Sequence, residues 1–182
     1  MIKPMLAHKL NENKIEWDKP VYMQPKLDGV RCLFTKDGAF SRTGKQFMNV
    51  KHIEKMLKHF FKACPWTVLD GELYNHDLRN DFEKIISLVR KQKPTDLDRA
   101  EAHKMIQYHV YDYTGKDYES NEGLSYKERL DNLICSDIYC WSVQHVKTNK
   151  VRFYDEAKAI HNLNLKRGFE GSILRTDTPY KH

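Results

Sequence analysis

One mixed α/β or α+β domain is the fold class that this sequence of 182 residues predicts. Three observations carry the prediction. Stretches with the alternation of strands are interleaved with stretches of helical period. No internal repeat or low-complexity linker divides the chain. Its length suits one sizeable core.

Taken in order, residues 20–24 read as a short strand, and Val30, Cys32 and Phe34 then alternate with Arg31 and Leu33 as in a half-buried strand. Lys36-Asp37-Gly38 closes it with a hairpin signal, so Ala39, Phe40 and Ser41 begin the return strand and Lys26 falls in a loop before the hairpin. Residues 51–62 place Ile53, Met56, Leu57, Phe60 and Phe61 at helical spacing, and Pro65 follows the end. The opposite face carries Lys51, Lys55, Lys58 and Lys62; it reads as a solvated face, with phosphate contact as the alternative. Thr67 to Asp70 reads as a strand ending in a polar turn. A second helix starts near Asn80 or Asp81 with Phe82, Ile85, Ile86 and Val89 inward, and the polar run Lys91 to Lys104 reads as an exposed loop.

Met105 to Tyr113 is rich in aromatic and β-branched residues, as strands are. Ser125 and Glu128 have the spacing of a capping box and open a helix through about Ile134. Ile138 to Val146 is strand-like, Asp155 is placed to cap a helix through about Leu165, and Gly168 to end it. Phe169 to Leu174 reads as a last strand.

Lys and Arg total 31 against 25 Asp and Glu, a net charge of +6, and the pI is near 9.0. That balance fits an anionic partner such as nucleic acid or a nucleotide. No window approaches the apolar length of a membrane span, and Met1 to Ala7 lacks the apolar region of a signal peptide, so an intracellular protein without membrane attachment is expected. Cys32, Cys64, Cys135 and Cys140 form no C-x-x-C pair, which argues against a zinc site or a disulfide framework and for reduced thiols serving mostly as core filler. The histidines show no metal-ligand spacing.

Lys26-Leu27-Asp28-Gly29-Val30-Arg31 is the most informative segment. A lysine amine attacks only when neutral, so burial or a nearby cation must lower its pKa; Leu27, Val30 and Arg31 suggest both. Gly29 lets the backbone turn tightly beside a ligand. A surface turn has the same composition, so the company of the segment decides.

That company is Ser41-Arg42-Thr43-Gly44-Lys45, Leu69-Asp70-Gly71-Glu72-Leu73-Tyr74, Tyr108-His109-Val110-Tyr111-Asp112-Tyr113 and Phe169-Glu170-Gly171-Ser172-Ile173-Leu174-Arg175. Quoted as they stand, KLDGVR, SRTGK, LDGELY, YHVYDY and FEGSILR resemble motifs I, Ia, III, IIIa and IV of the covalent nucleotidyltransferases, and specifically of ATP-dependent DNA ligases. They occur in the family's order from residue 26 to residue 175. The resemblance implies an α+β, ATP-grasp-like nucleotidyltransferase domain of antiparallel sheets flanked by helices.

It also implies roles. Lys26 attacks the α-phosphorus of ATP and holds AMP as a phosphoramidate, with Asp28 orienting it and Arg31 bonding the ribose. Gln24 stands where the family often has an acidic residue that reads the adenine amino group, and its side-chain oxygen can accept the same bond. Glu72 contacts the ribose or a metal ion, Glu170 helps bind Mg²⁺, and Tyr111 stacks on the purine. Arg42 and Lys45 meet the 5′-phosphate of nicked double-stranded DNA. AMP then passes to that phosphate, and the 3′-hydroxyl seals the strand. A monomer is expected.

The chain departs from the family in two respects. Motif V, a strand with a pair of lysines, should follow shortly after Tyr180, and the C-terminal OB-fold domain should follow that. Residues 1–182 are therefore expected to be an adenylation domain that stops before motif V. The alternatives are a GTP-dependent mRNA capping guanylyltransferase, which shares the lysine chemistry but is a poorer match to SRTGK, and a non-catalytic nucleic-acid-binding fragment.

Overall fold

A computed structural model describes residues 3–115 and 123–181 of the chain. Its strands are β1 (Val21–Lys26), β2 (Val30–Thr35), β3 (Gly38–Phe40), β4 (Val68–Tyr74), β5 (Gln107–Thr114), β6 (Val143–His145), β7 (Asn149–Val151) and β8 (Gly171–Thr176). The helices are α1 (Lys51–Ala63), α2 (Phe82–Val89), α3 (Asp96–Met105), α4 (Tyr126–Cys135) and α5 (Tyr154–Lys166). One sheet has the order β7-β1-β8 and the other β3-β2-β4-β5-β6. All pairings are antiparallel except β5 with β6, which run parallel. The α+β expectation of antiparallel sheets flanked by helices holds with that exception.

The main core lies under the larger sheet, where Cys32, Phe34, Leu69, Leu73, Tyr108 and Val110 meet Ile53, Leu57 and Phe61 of α1 and Ile85 and Val89 of α2. A smaller cluster of Val21, Met23, Val151 and Ala157 seats α5 on the β7-β1-β8 sheet. The hairpin at Lys36-Asp37-Gly38 forms as predicted, with Thr35 opposite Gly38. Ser125 and Glu128 make both halves of the capping box of α4. Asp81 caps α2 by accepting from the Lys84 backbone N–H. Gly168 ends α5 with a φ of 84°, a backbone state that favours glycine.

Several expectations change. Lys26 is the last residue of β1 rather than part of a loop. Leu33 is as buried as its neighbours Cys32 and Phe34, so β2 is covered on both faces. Strand β4 continues through the expected turn to Tyr74 with every residue buried, and Glu72 therefore lies inside a strand. The run expected as a loop holds α3: Thr95 and Asp98 form a capping box, but only Ala102 is buried, so the helix has almost no apolar periodicity to read. In the 138–146 stretch only Val143–His145 is strand. Asp155 sits in the first turn of α5, where its charge favours the helix N-terminus, and the capping position is Phe153 with no side-chain bond. Met56 is exposed. Of the cysteines Cys32 is buried and Cys140 is partly buried against the main core, so the core-filler reading fails for exposed Cys135 and for Cys64.

Candidate active site

The site grows from the end of β1. Pro25 lacks an N–H, which a strand flanked on both sides would need. Here β7 pairs only with Val21, Tyr22 and Met23, so at Pro25 β1 has β8 alone as neighbour. Lys26 lies opposite Gly171, and the Glu170 backbone N–H donates to the Lys26 carbonyl at 3.2 Å. The two side chains consequently meet: Lys26 Nζ forms an ion pair with Glu170 Oε2. Both are close to half exposed. The expected burial of Lys26 beside a cation is not what the structure has; the amine sits in water beside a carboxylate.

Gly29, between β1 and β2, has a different reason from the one expected. A Cβ there would stand 2.5 Å from the Leu73 carbonyl oxygen and 2.7 Å from Glu72 Cγ. The missing side chain lets the β1–β2 connection press against β4 and touch Glu72.

Arg31 and Glu72 are cross-strand partners. Arg31 grips buried Asp70 with two bonds of 2.6 Å, from Nε and Nη2, and Nη2 also donates to the Met5 carbonyl at 3.1 Å. Burial opposes its charge, but Asp70 outweighs this and pushes the guanidinium pKa up. Tyr180 donates to the same Asp70 at 2.7 Å and accepts from the Met5 N–H at 3.2 Å.

Tyr111 is the extra residue of a β-bulge: Asp70 pairs with Asp112 and Gly71 with Val110, which leaves Tyr111 between them. Its hydroxyl donates to Glu72 at 2.7 Å, and the Arg31 guanidinium lies 5.1 Å from its ring centroid. Burial raises the Glu72 carboxyl to about 7, against the lowering by the Tyr111 hydroxyl and Arg31. Opposite Glu72 on β5, His109 is held down to about 4 by burial and by His76.

Gln24 is fully buried. Its amide nitrogen donates to the Tyr126 hydroxyl, Thr148 Oγ1 and the Tyr111 carbonyl, and its oxygen accepts from Arg175 Nε at 2.8 Å. The oxygen expected to meet adenine is already engaged. Arg175 reaches Asp112 at 3.3 Å, and Arg129 of α4 grips that carboxylate from the other side at 2.7 and 3.0 Å. Arg31 thus answers Asp70, and Arg129 and Arg175 together answer Asp112.

Lys26, Asp28, Arg31, Glu72, Tyr111 and Glu170 all line one cavity of roughly 1090 Å³. Its further wall comes from Met5–Asn11 of the N-terminal lead and from α5. Arg42 and Lys45 are exposed in the turn after β3, which Ser41 ties with bonds to the backbone of Gly44 and Lys45, and they do not line this cavity. Sequence reasoning quoted Asp70, Asp112 and Arg175 inside motifs without weighing them, although a carboxylate within an apolar strand run signals a buried partner. Arg129 and Tyr180 carried no local signal.

The model of the ATP dependent DNA ligase domain matches residues 4–182. The DNA ligase of African swine fever virus, isolate Pig/Kenya/KEN-50/1950, is 27% identical over 191 residues. The alignment takes in 100% of this chain and 43% of the viral protein, so the chain spans less than half the length of that relative. Among solved structures, the Chlorella virus DNA ligase-adenylate superposes with a TM-score of 0.73 at 20% identity, covering 100% of this chain and 63% of that one. The bacteriophage T7 ATP-dependent DNA ligase in complex with ATP gives 0.70 at 19%, with 99% and 65% covered. An archaeal ATP-dependent RNA ligase gives 0.61 at 17%, with 98% and 46% covered, so the fold by itself is common to ligases of both nucleic acids. The match over nearly the whole chain decides the family: the chain belongs to the ATP-dependent DNA ligase domains.

Proposed function

We propose that this chain carries out the adenylation chemistry of an ATP-dependent DNA ligase, with Lys26 as the nucleophile. The observation that supports the reading is the convergence of Lys26, Asp28, Arg31, Glu72, Tyr111 and Glu170 on one cavity large enough for a nucleotide. Lys26 Nζ attacks the α-phosphorus of ATP; a nitrogen–phosphorus bond forms, and the bond to pyrophosphate breaks. The ammonium must first lose a proton, and Glu170, in contact with it, is the acceptor at hand. Asp28 orients the reacting groups. Arg31 spends Nε and Nη2 on Asp70 and Met5 and keeps Nη1 for the ribose. Tyr111 is the aromatic surface for the purine, with the Arg31 and Arg175 guanidinium groups 5.1 and 5.9 Å from its ring centroid.

Among the described residues no three acidic, His or Cys side chains gather as a metal cage. Two carboxylates lining a phosphate-sized cavity fit Mg²⁺ all the same, because this ion is commonly held by one or two carboxylates plus substrate phosphates. Glu170 and Glu72 would hold it, and it would neutralise charge on the phosphate oxygens. In the same reading the partner is nicked duplex DNA, whose 5′-phosphate takes AMP from Lys26 and meets Arg42 and Lys45 before the 3′-hydroxyl seals the break. The protein acts as a monomer.

The test is intact mass after incubation with ATP and Mg²⁺. A gain of one AMP that is lost in Lys26→Ala is the expected result. A gain with GTP alone would replace ligase chemistry by capping chemistry, and no gain with either nucleotide would overturn the nucleophile assignment.

A further inference from the structure

The structure holds a second cleft, of roughly 760 Å³, between the β2–β3 hairpin and the outer face of α1. It is separate from the cavity of Lys26 and shares no lining residue with it. Lys36 at the hairpin tip and Lys51, Lys55, Lys58 and Lys62 on the helix all line it, against Asp37 and Glu54. Five lysines and two carboxylates leave a surplus equal to half of the chain's net +6. Glu54 is answered by Lys51 at 2.6 Å. Among the described residues, Lys36, Lys55, Lys58 and Lys62 have no ion pair, and all four are exposed.

The spacing of these cations matters. From Lys51 to Lys62 the helix rises about 16 Å, so its lysines follow one another roughly every 5 Å in a row. A solvated helix face gains nothing from unpaired like charges at successive turns, which repel. A face opposite a polyanion does gain. Duplex DNA presents one charge per about 1.7 Å of its axis. Lys36 lies five residues along β2 from Arg31, a distance of about 17 Å, so a duplex at the catalytic cavity is long enough to reach the cleft.

We infer that the α1–hairpin cleft is a second contact for the sugar–phosphate backbone of duplex DNA, independent of sequence and remote from the nick. This rests on the DNA-ligase reading but goes beyond it, since none of these lysines belongs to the nucleotide cavity. The experiment is duplex binding by the full chain at several salt concentrations, for the wild type, for Lys55→Ala/Lys58→Ala/Lys62→Ala, and for the matching triple substitution by Arg. Loss of three phosphate contacts should reduce the slope of log affinity against log salt by about 2.7, a roughly 40-fold smaller loss of affinity between about 50 and 200 mM salt. The Arg variant should keep the wild-type slope, which separates charge from folding. An unchanged slope in the Ala variant, or no duplex binding by the wild type, overturns the inference. Attachment of AMP, read by intact mass, should be the same in all three proteins; its absence from the wild type would count against the function, not against the cleft.

Discussion

The amide oxygen of Gln24 accepts the Nε–H of Arg175 at 2.8 Å. The residue two positions ahead of Lys26 is therefore spent on joining β1 to β8 and, through Arg175 and Asp112, to the larger sheet. Gln24→Glu would keep the bond to Arg175 but lose the amide donor to the Tyr111 carbonyl. A buried acceptor without a partner costs about 1–3 kcal/mol. The variant should melt at lower temperature than the wild type, as thermal unfolding will show; an equal or higher midpoint would mean that the amide donors matter little.

Glu170→Gln should separate chemistry from stability. The Lys26–Glu170 pair is half exposed, and exposed pairs contribute about 0–1 kcal/mol. Thermal stability should change little, while the rate of AMP attachment should fall at least tenfold, because the carboxylate proposed to accept the Lys26 proton is gone. Mass-detected single-turnover kinetics would measure this.

Burial raises Glu72 to about 7, above the ordinary carboxylate value. The folded state then binds more protons than the unfolded chain between about pH 4.5 and 7, so this group lowers stability as pH rises through that window. Glu72→Gln removes the penalty and can still accept from Tyr111. The variant should gain on the wild type at pH 8, by about 3 kcal/mol at most, and the gain should vanish towards pH 4. His109, with its pKa depressed to about 4, acts in the opposite sense: it loses stability as pH falls from about 6.5 to 4. The pair facing each other across β4 and β5 thus flattens the wild-type profile, and the single variant exposes the slope.

Gly29→Ala would drive a methyl group to 2.5 Å from the Leu73 carbonyl oxygen, a backbone atom that cannot swing away. Overpacking of this kind costs about 1–3 kcal/mol. Because the same methyl meets Glu72, AMP attachment should fall along with stability; a variant as active and as stable as the wild type would show that the connection can lift off β4 freely.

Arg129→Met leaves the buried Asp112 carboxylate with Arg175 at 3.3 Å and the Tyr113 backbone N–H at 2.8 Å. Breaking a buried pair from one side costs about 3–5 kcal/mol. Urea unfolding should show a loss of that size, and Arg129→Met/Asp112→Leu should recover only part of it, since the carboxylate is then gone but Arg175 loses its ion pair.

The elements with strong periodicity or turn chemistry were legible from the residues alone: the Asp37-Gly38 hairpin, the apolar face of α1 and the capping box of α4. Helix α3 was not, because only Ala102 of its residues is buried and the rest is held by its cap and by polar contacts such as Lys84–Glu101 and Lys91–Asp98. Within the site, the motif residues Lys26, Asp28, Arg31, Glu72, Tyr111 and Glu170 do share a cavity. What sequence could not give was the state of each side chain. The bulge that sets Tyr111 between two ladder pairs depends on a shift of register, and the burial of Gln24 depends on Tyr126, Thr148 and Arg175, all of them more than a hundred residues away. Arg42 and Lys45 resemble a phosphate-binding motif, yet their turn stands outside the cavity.

The pairing of β1 with β8 has a consequence for how the molecule is made. Strands β2, β3, β4 and β5 pair with one another among residues synthesised by Thr114, and β6 joins the edge of the sheet later. Strand β1 waits for β7 and β8, about 130 and 150 residues downstream. Contacts of such long range are formed late and slowly. During synthesis these four strands can therefore settle on α1 and α2 while Lys26 has no partner strand, and Lys26 can meet Glu170 only once β8 has been made. A chain ended between Thr114 and Gly171 would carry the four paired strands of the larger sheet but not the strand that brings Glu170 to Lys26.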